Sequence, residues 1–384
     1  MYCIPPLAIT DAILTSSTAA ENDYAEFVMG TTYALAAKCI VATGLEILTL
    51  DVAPASAWVA GDIITGQTSG HTAVCVAQLT SLTYQIREKT DAFHLGEVIG
   101  VTGTAAKLAD QGAAHPTITA STDKVHKVYE SLAAGNLGNY PPLDVLAAVP
   151  KWLFIGYTNR WRMLDLLRNT QTESASPLVV VLTPGTRIDS LSVVGVVADT
   201  VKIDVTVGAV NHFTETITMT GRETTGWYQY LVGAFNQKPS LVRFNIPPVT
   251  GAVFTITLTK AVGNAKCGGL VLGRKEFIGN VQMNPEGDTL NFSTVTRDAF
   301  GNSELVPRRN VPKTSQTLFL PSQYINRVRA LRDTLNAAPA VWVGLEDDTN
   351  NFFELLLILG YYRRFTISGT YNNFATVSLD LEEI

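Results

Sequence analysis

From residue 177 onward, apolar and polar positions alternate along the chain. In "DTVKIDVTV" the apolar Val201, Ile203, Val205 and Val207 are separated by Lys202, Asp204 and Thr206. That period of two marks a strand with one buried and one wet face. The runs "PLVVVLTPG", "RIDSLSVVGVV", "HFTETITMT", "LVRFNIPP" and "AVFTITLTKA" read as strands too, and turn signals such as Pro184-Gly185 and Pro247-Pro248 divide them. So many short strands in one stretch predict a β-sandwich, of jelly-roll type.

The period lengthens only in "PSQYINRVRALRDTLNAAP". Tyr324, Ile325, Val328, Leu331 and Leu335 recur at helical spacing, while Arg327, Arg329 and Arg332 fall elsewhere. A helix over about residues 322–336 is predicted, with Ser322 placed to cap its start and Pro339 to bar its continuation. The runs "AVWVGLED", "FFELLLILGYYRRFTIS" and "FATVSLDLEEI" then predict closing strands.

Earlier in the chain, "GDIITGQTSGHTAVCVA" is echoed by "GEVIGVTGTAAKLA", each a Gly/Thr turn between β-branched flanks. Four segments follow. Residues 1–43 form an arm with paired prolines in "CIPPLAITDAIL", docked on a neighbouring subunit or packed on its own domain, followed by the first strands. Residues 44–122 form an inserted small β module. Residues 123–272 hold the sandwich, and 273–384 a C-terminal β unit with the helix. The expected fold is mainly β: a β-sandwich or jelly-roll core, an inserted all-β module and a C-terminal β unit containing one α-helix.

Composition changes the picture in one respect. Apolar residues make up 46% of the chain and charged residues only 16%, well under the usual quarter. A thinly charged exterior invites association, which suits a subunit of an assembly. Net charge is −6. Residues 1–150 carry 6 Lys and Arg against 14 Asp and Glu, which cannot neutralise a phosphate backbone. The arginine knots "NRWR", "PRRN" and "YYRRF" suit interface hydrogen bonding better than a polyanion footprint. Nucleic acid is therefore not an expected partner. No basic and apolar leader opens the chain. The run "FFELLLILGYY" is short for a bilayer and carries Glu354, so no membrane span is expected. Cys3, Cys39, Cys75 and Cys267 lie far apart and read as buried thiols.

Candidate chemistry is sparse. No GxSxG, HExxH, P-loop or GxGxxG occurs. His71, His94 and His115 are too widely spaced for a metal site, and His212 sits alone in a strand. Asp165, Glu173, Glu215 and Asp298 are conceivable glycosidase carboxylates, but nothing pairs them. "LEDDTNN", 345–351, offers oxygen ligands for calcium without an EF-hand pattern, and reads better as an acidic turn. No catalytic residue, cofactor or metal is assigned, and the chain is read as no enzyme. The segment that stands out is "IGYTNRWRMLDLLRNTQT". Arg160, Trp161 and Arg162 could make an interface or glycan contact. Alternation would put Tyr157, Trp161 and Met163 on one face, with Asn159 securing a turn. The preferred reading is a latch that pins this strand to the sandwich.

These residues resemble a segment of tail and baseplate structural proteins of tailed bacteriophages. There, a Tyr-Glu-Ser-like strand leads through an Asn/Gly/Pro loop to a G-x-T-N-x-W-x-M-F-D turn and a "PG…I..L.L.G" strand pair. This chain matches at Gly156, Thr158, Asn159, Trp161, Met163 and Asp165, with Leu164 where Phe is usual. "RDAFGNSELVPRRN" and "PAVWVGLED" continue the likeness, which covers roughly residues 123–384. It implies a virion tail component, made in the host cytoplasm, forming a symmetric homo-oligomer with other tail proteins and lacking defined chemistry. Receptor-binding to host-surface glycan is the alternative, and a polysaccharide depolymerase a more distant one.

Overall fold

The structure is a computed structural model. It describes residues 1–28, 31–42, 46–50, 53–68, 70–78, 80–87, 98–101, 117–119, 126–137, 139, 141–221, 226–233, 235–282, 285–297, 300–369 and 372–384. The fold is mainly β, built of several antiparallel sheets. Two compact units divide it: Glu21–Thr158, and Met1–Ala20 joined with Asn159–Ile384.

In the larger unit the predicted sandwich is present. A five-stranded sheet runs in the order Val210–Thr218, Thr200–Val207, Val253–Thr259, Leu178–Leu182, Leu14–Ser17. A three-stranded sheet runs Leu241–Arg243, Ser190–Val194, Gly269–Gly273. From Leu178 the chain changes sheet at each step except the hairpin of Thr200–Val207 and Val210–Thr218, a jelly-roll-like course. The alternation read from sequence holds: Val201, Ile203 and Val205 are buried, while Lys202 is exposed.

The three-stranded sheet is buried on both faces, so its strands show no alternation. Leu191, Val193, Leu241, Leu270 and Leu272 line one face. On the other, Val194, Val242 and Val271 pack against Ile4, Val341, Val343, Leu357 and Leu359 of an eight-stranded sheet. Two glycines permit that approach. A Cβ on Gly269 would lie 2.9 Å from Leu359 Cδ2, and one on Gly273 would lie 2.3 Å from the Pro5 carbonyl oxygen. The run "CGGLVLG" is therefore a sheet contact, with Gly273 against the Pro5 backbone and Gly269 against the Leu359 side chain.

The eight-stranded sheet follows the path Glu276–Phe277, Tyr2–Ile4, Ala340–Val343, Leu357–Ser368, Phe374–Glu383, Asn310–Pro321, Asn280–Val281, with Glu286–Asn291 also paired to Asn310–Pro321. The proline-rich arm thus packs on its own unit. Tyr2–Ile4 is an interior strand of this sheet and Leu14–Ser17 an edge of the sandwich. The helix Ile325–Thr334 covers the sheet's far face. Val328 and Leu335, with Tyr324, Ile325 and Leu331, lie on Leu318, Leu320, Trp342, Val377 and Leu379. The stripe is as expected, but the cap is not: Ser322 opens a 3-10 turn, and the helix N-cap is Tyr324, without a side-chain cap bond. Two short helices, Pro141–Asp144 and Trp227–Val232, were not anticipated. No helix among the described residues is long and apolar enough to cross a membrane.

In the smaller unit the 44–122 module contributes a six-stranded sheet with its own core of Leu48, Trp58, Ile64, Cys75, Tyr84, Ile86 and Ile99. A three-stranded sheet, Trp152–Tyr157, Lys127–Ser131 and Lys38–Val41, belongs to the same unit. Its core gathers Phe27, Cys39, Tyr129 and Trp152. The division falls after residue 158, where "VYES" and "KWLFIGY" have already paired, and not at 122.

Candidate functional site

The segment after Tyr157 folds into a turn whose hydrogen bonds lie within the larger unit. The strand Trp152–Tyr157 ends, and Arg162–Leu164 coil into a 3-10 turn. The strand alternation that would align Tyr157 with Trp161 and Met163 therefore does not continue. Asn159 secures the turn: its side-chain amide donates to the Glu173 carbonyl at 2.8 Å, and its side-chain carbonyl accepts the Glu173 N–H at 2.8 Å. Thr172 Oγ1 donates to the Asn159 carbonyl at 2.7 Å and accepts the Met163 N–H at 2.9 Å. Met163 is fully buried and Trp161 only 7% exposed, while Arg160 and Arg162 are half-buried. A buried indole offers no open face to a sugar ring, so Trp161 is a packing residue.

Asp165 belongs to the same turn. Oδ1 accepts the Leu167 N–H and Oδ2 the Thr170 hydroxyl. Burial outweighs these bonds and the nearby Arg162, raising its carboxyl to about 6. The other candidate acids are scattered. Glu173 is ion-paired with Lys266 at 3.0 Å, and Glu215 with Arg243 at 2.8 Å. His212 is exposed and His71 half-buried. Asp298, His94 and His115 lie outside the described residues. Among the described residues no three His, Cys, Asp or Glu side chains converge as a metal-ligand set.

The structure gathers a different constellation. A cavity of about 330 Å³ is lined by residues 236–240, by the turn 348–351, and by Gly221, Phe353 and Glu354. The acidic turn is wired internally: Asp347 Oδ1 accepts the Thr349 N–H and hydroxyl, and Asn350 Oδ1 accepts the Phe352 N–H. This is the turn chemistry preferred from sequence over a calcium loop. Arg243 bridges Asp348 at 2.9 Å and Glu215 at 2.8 Å. Arg168 contacts Glu354 at 3.1 Å, Ser240 at 3.3 Å and Glu383 at 3.5 Å, and Arg309 takes the second oxygen of Glu383 at 3.1 Å. Both carboxylates of the cavity are thus engaged by arginine. Lys238 also lines the cavity, its ammonium donating to the Asp348 carbonyl at 3.3 Å, and the exposed amides of Asn236 and Asn351 add donors and acceptors for a hydroxylated ligand.

Beside this cavity rises an apolar excursion. The strands Thr220–Gly221 and Asn236–Gln237 pair, and Gly221, Asn236 and Gln237 line the cavity. Between them stands the helix Trp227–Val232, whose every residue is exposed; Trp227 is 83% and Tyr228 77% exposed. A second projection is the hairpin Thr294–Arg297 with Ser303–Val306, all eight residues exposed on both faces. Phe300 in its loop is 92% exposed. The stretch "WYQYLVGAF" has no strand alternation, but its run of aromatic and aliphatic residues without a charge is a readable signal in the sequence.

No protein-family model matches the sequence, and no curated protein does. Among solved structures, the crystal structure of a GH78 family rhamnosidase of Bacillus sp. GL1 is similar at 10% identity and a TM-score of 0.20, covering 76% of this chain and 36% of that one. The chain therefore spans little more than a third of that structure's length, and a likeness this slight supports no inference about activity.

Proposed function

We propose that this chain is a structural subunit of a tailed-bacteriophage virion, a tail, baseplate or tail-tip protein. It assembles with copies of itself and holds neighbouring tail proteins or fibres. Its role is mechanical, with no reaction assigned to it. The observation that supports this most is a pair of exposed projections on the larger unit: the helix Trp227–Val232, and the hairpin of Thr294–Arg297 with Ser303–Val306, which leaves Val295, Leu305 and the nearby Phe300 open. Exposed apolar area of this kind is costly for a free monomer and becomes useful once a neighbour covers it. The low charge of the chain agrees. Proteomics on density-purified particles tests the reading: peptides of this chain should co-purify with the tail, and their absence from the particles refutes it.

The cavity favours a second reading, in which the same subunit grips host-surface glycan. The exposed amides of Asn236 and Asn351, not Trp161, would make the contacts. Glycan-array binding lost in Asn351→Ala and kept in an Arg160→Ala variant supports that reading. Release of reducing sugar from host polysaccharide would establish the depolymerase instead; none is expected, because Asp348 and Glu354 are both held by arginines.

A further inference from the structure

We infer that the helix Trp227–Val232 is the anchor of a contact between two copies of this chain. The inference rests on the assembly reading above and names the surface that would carry it.

The helix is unlike the others. In Ile325–Thr334 the apolar stripe lies on the eight-stranded sheet, as an amphipathic helix should. Trp227–Val232 has no buried residue at all. Trp227, Tyr228, Tyr230, Leu231 and Val232 are 83%, 77%, 58%, 72% and 65% exposed, and Phe235 just beyond is 70% exposed. Trp227 and Tyr230 meet edge to face, with ring centroids 6.1 Å apart, and both still present most of their surface to solvent.

Area decides the size of the partner. At ~150–250 Å² for each fully exposed aromatic side chain, the exposed fractions of Trp227, Tyr228, Tyr230 and Phe235 amount to about 430–720 Å². Leu231 and Val232 add to this. A stable protein contact buries about 800 Å² on each partner. A single sugar ring would cover one aromatic face and leave the rest wet. The patch is therefore the size of a protein interface, with the Trp and Tyr content of an interface centre.

Charge decides which protein. Residues 226–237 contain no charged side chain. In a two-fold contact the patch meets itself, and a charge near the axis would lie against its own copy. An uncharged patch escapes that cost and fits its own copy. A patch built for a charged partner would carry the complementary charge, and this one carries none.

The test is light scattering on the size-excluded full chain, over a wide range of concentration around the micromolar. Wild type should run as a dimer or a larger even assembly. Trp227→Asp combined with Tyr228→Asp should weaken it by more than tenfold in dissociation constant. Val262→Asp, at an exposed apolar position outside the patch, should leave the assembly unchanged. Because both altered residues are exposed, the double variant should keep the wild-type circular dichroism spectrum and a cooperative unfolding transition, which separates lost association from lost folding. If the double variant assembles as wild type does, the inference fails while the assembly reading survives through another surface. If wild type is monomeric at every concentration, the inference also fails, and the particle proteomics decides the reading separately. Binding of that monomer to phosphatidylcholine vesicles would overturn the inference in favour of a lipid surface.

Discussion

Truncating Trp161 to alanine separates a latch from a ligand platform. The indole is 7% exposed and sits in a turn held by Asn159, Thr172 and the Glu173 backbone. Those bonds keep the turn from collapsing into the space an alanine would leave, so the cost should approach the full range for a buried aromatic, about 3–5 kcal/mol. With a urea slope of about 3 kcal/mol per molar, the midpoint should fall by about 1–2 M. Trp161 belongs to the unit of Asn159–Ile384, and the Glu21–Thr158 unit has its own core. Where the two units unfold in separate transitions, only the larger unit's should move. Urea titration followed by circular dichroism, with Trp161→Phe as the milder change, measures this. A midpoint unchanged in Trp161→Ala, together with lost binding to any glycan, would refute the latch.

Three further outcomes follow from the same structure. Burial holds the Asp165 carboxyl at about 6 in the fold against an ordinary 3.8, so the folded state binds this proton more tightly than the unfolded chain. That stabilisation is complete below 3.8 and is lost as pH rises through about 6; Asp165→Asn should remove this pH dependence from denaturation midpoints, and an unchanged slope would contradict it. Arg168→Ala should destabilise the larger unit by about 3 kcal/mol, because Glu383 and Glu354 lose a shared cation beneath the cavity; calorimetry checks this, and a shift within error would mean the network is solvated. All four cysteines are buried thiols outside any disulfide, and burial pushes Cys39 and Cys267 to about 12. Native protein should therefore resist an aromatic disulfide reagent until unfolded, and stoichiometric reaction in buffer would show the cores to be open.

Much of the fold was legible where a face meets water. Val201, Ile203 and Val205 alternate with polar neighbours because one side of their strand is wet, and Val328, Leu331 and Leu335 recur because one side of their helix is. Where both faces are covered the period vanishes: "SLSVV" and "GLVLG" read as plain apolar runs, and nothing in them tells of a middle sheet. Pairing across long distances was equally hidden. Tyr2–Ile4 sits between strands that begin at Glu276 and Ala340, and sequence order carries no trace of it. The cavity's ionic floor was invisible for the same reason, since Arg168 meets Ser240, Glu354 and Glu383 only after 72, 186 and 215 residues. By contrast, Asn159 was readable, because its partners Thr172 and Glu173 lie within one turn-and-return.

The most direct measurement is an electron cryomicroscopy map of the intact particle with this chain located in it. Repeated copies are expected around the tail axis, with Trp227, Tyr228 and the strands Thr294–Arg297 and Ser303–Val306 covered by neighbouring subunits. A particle that lacks the chain, or one in which both projections face open solvent, would contradict this.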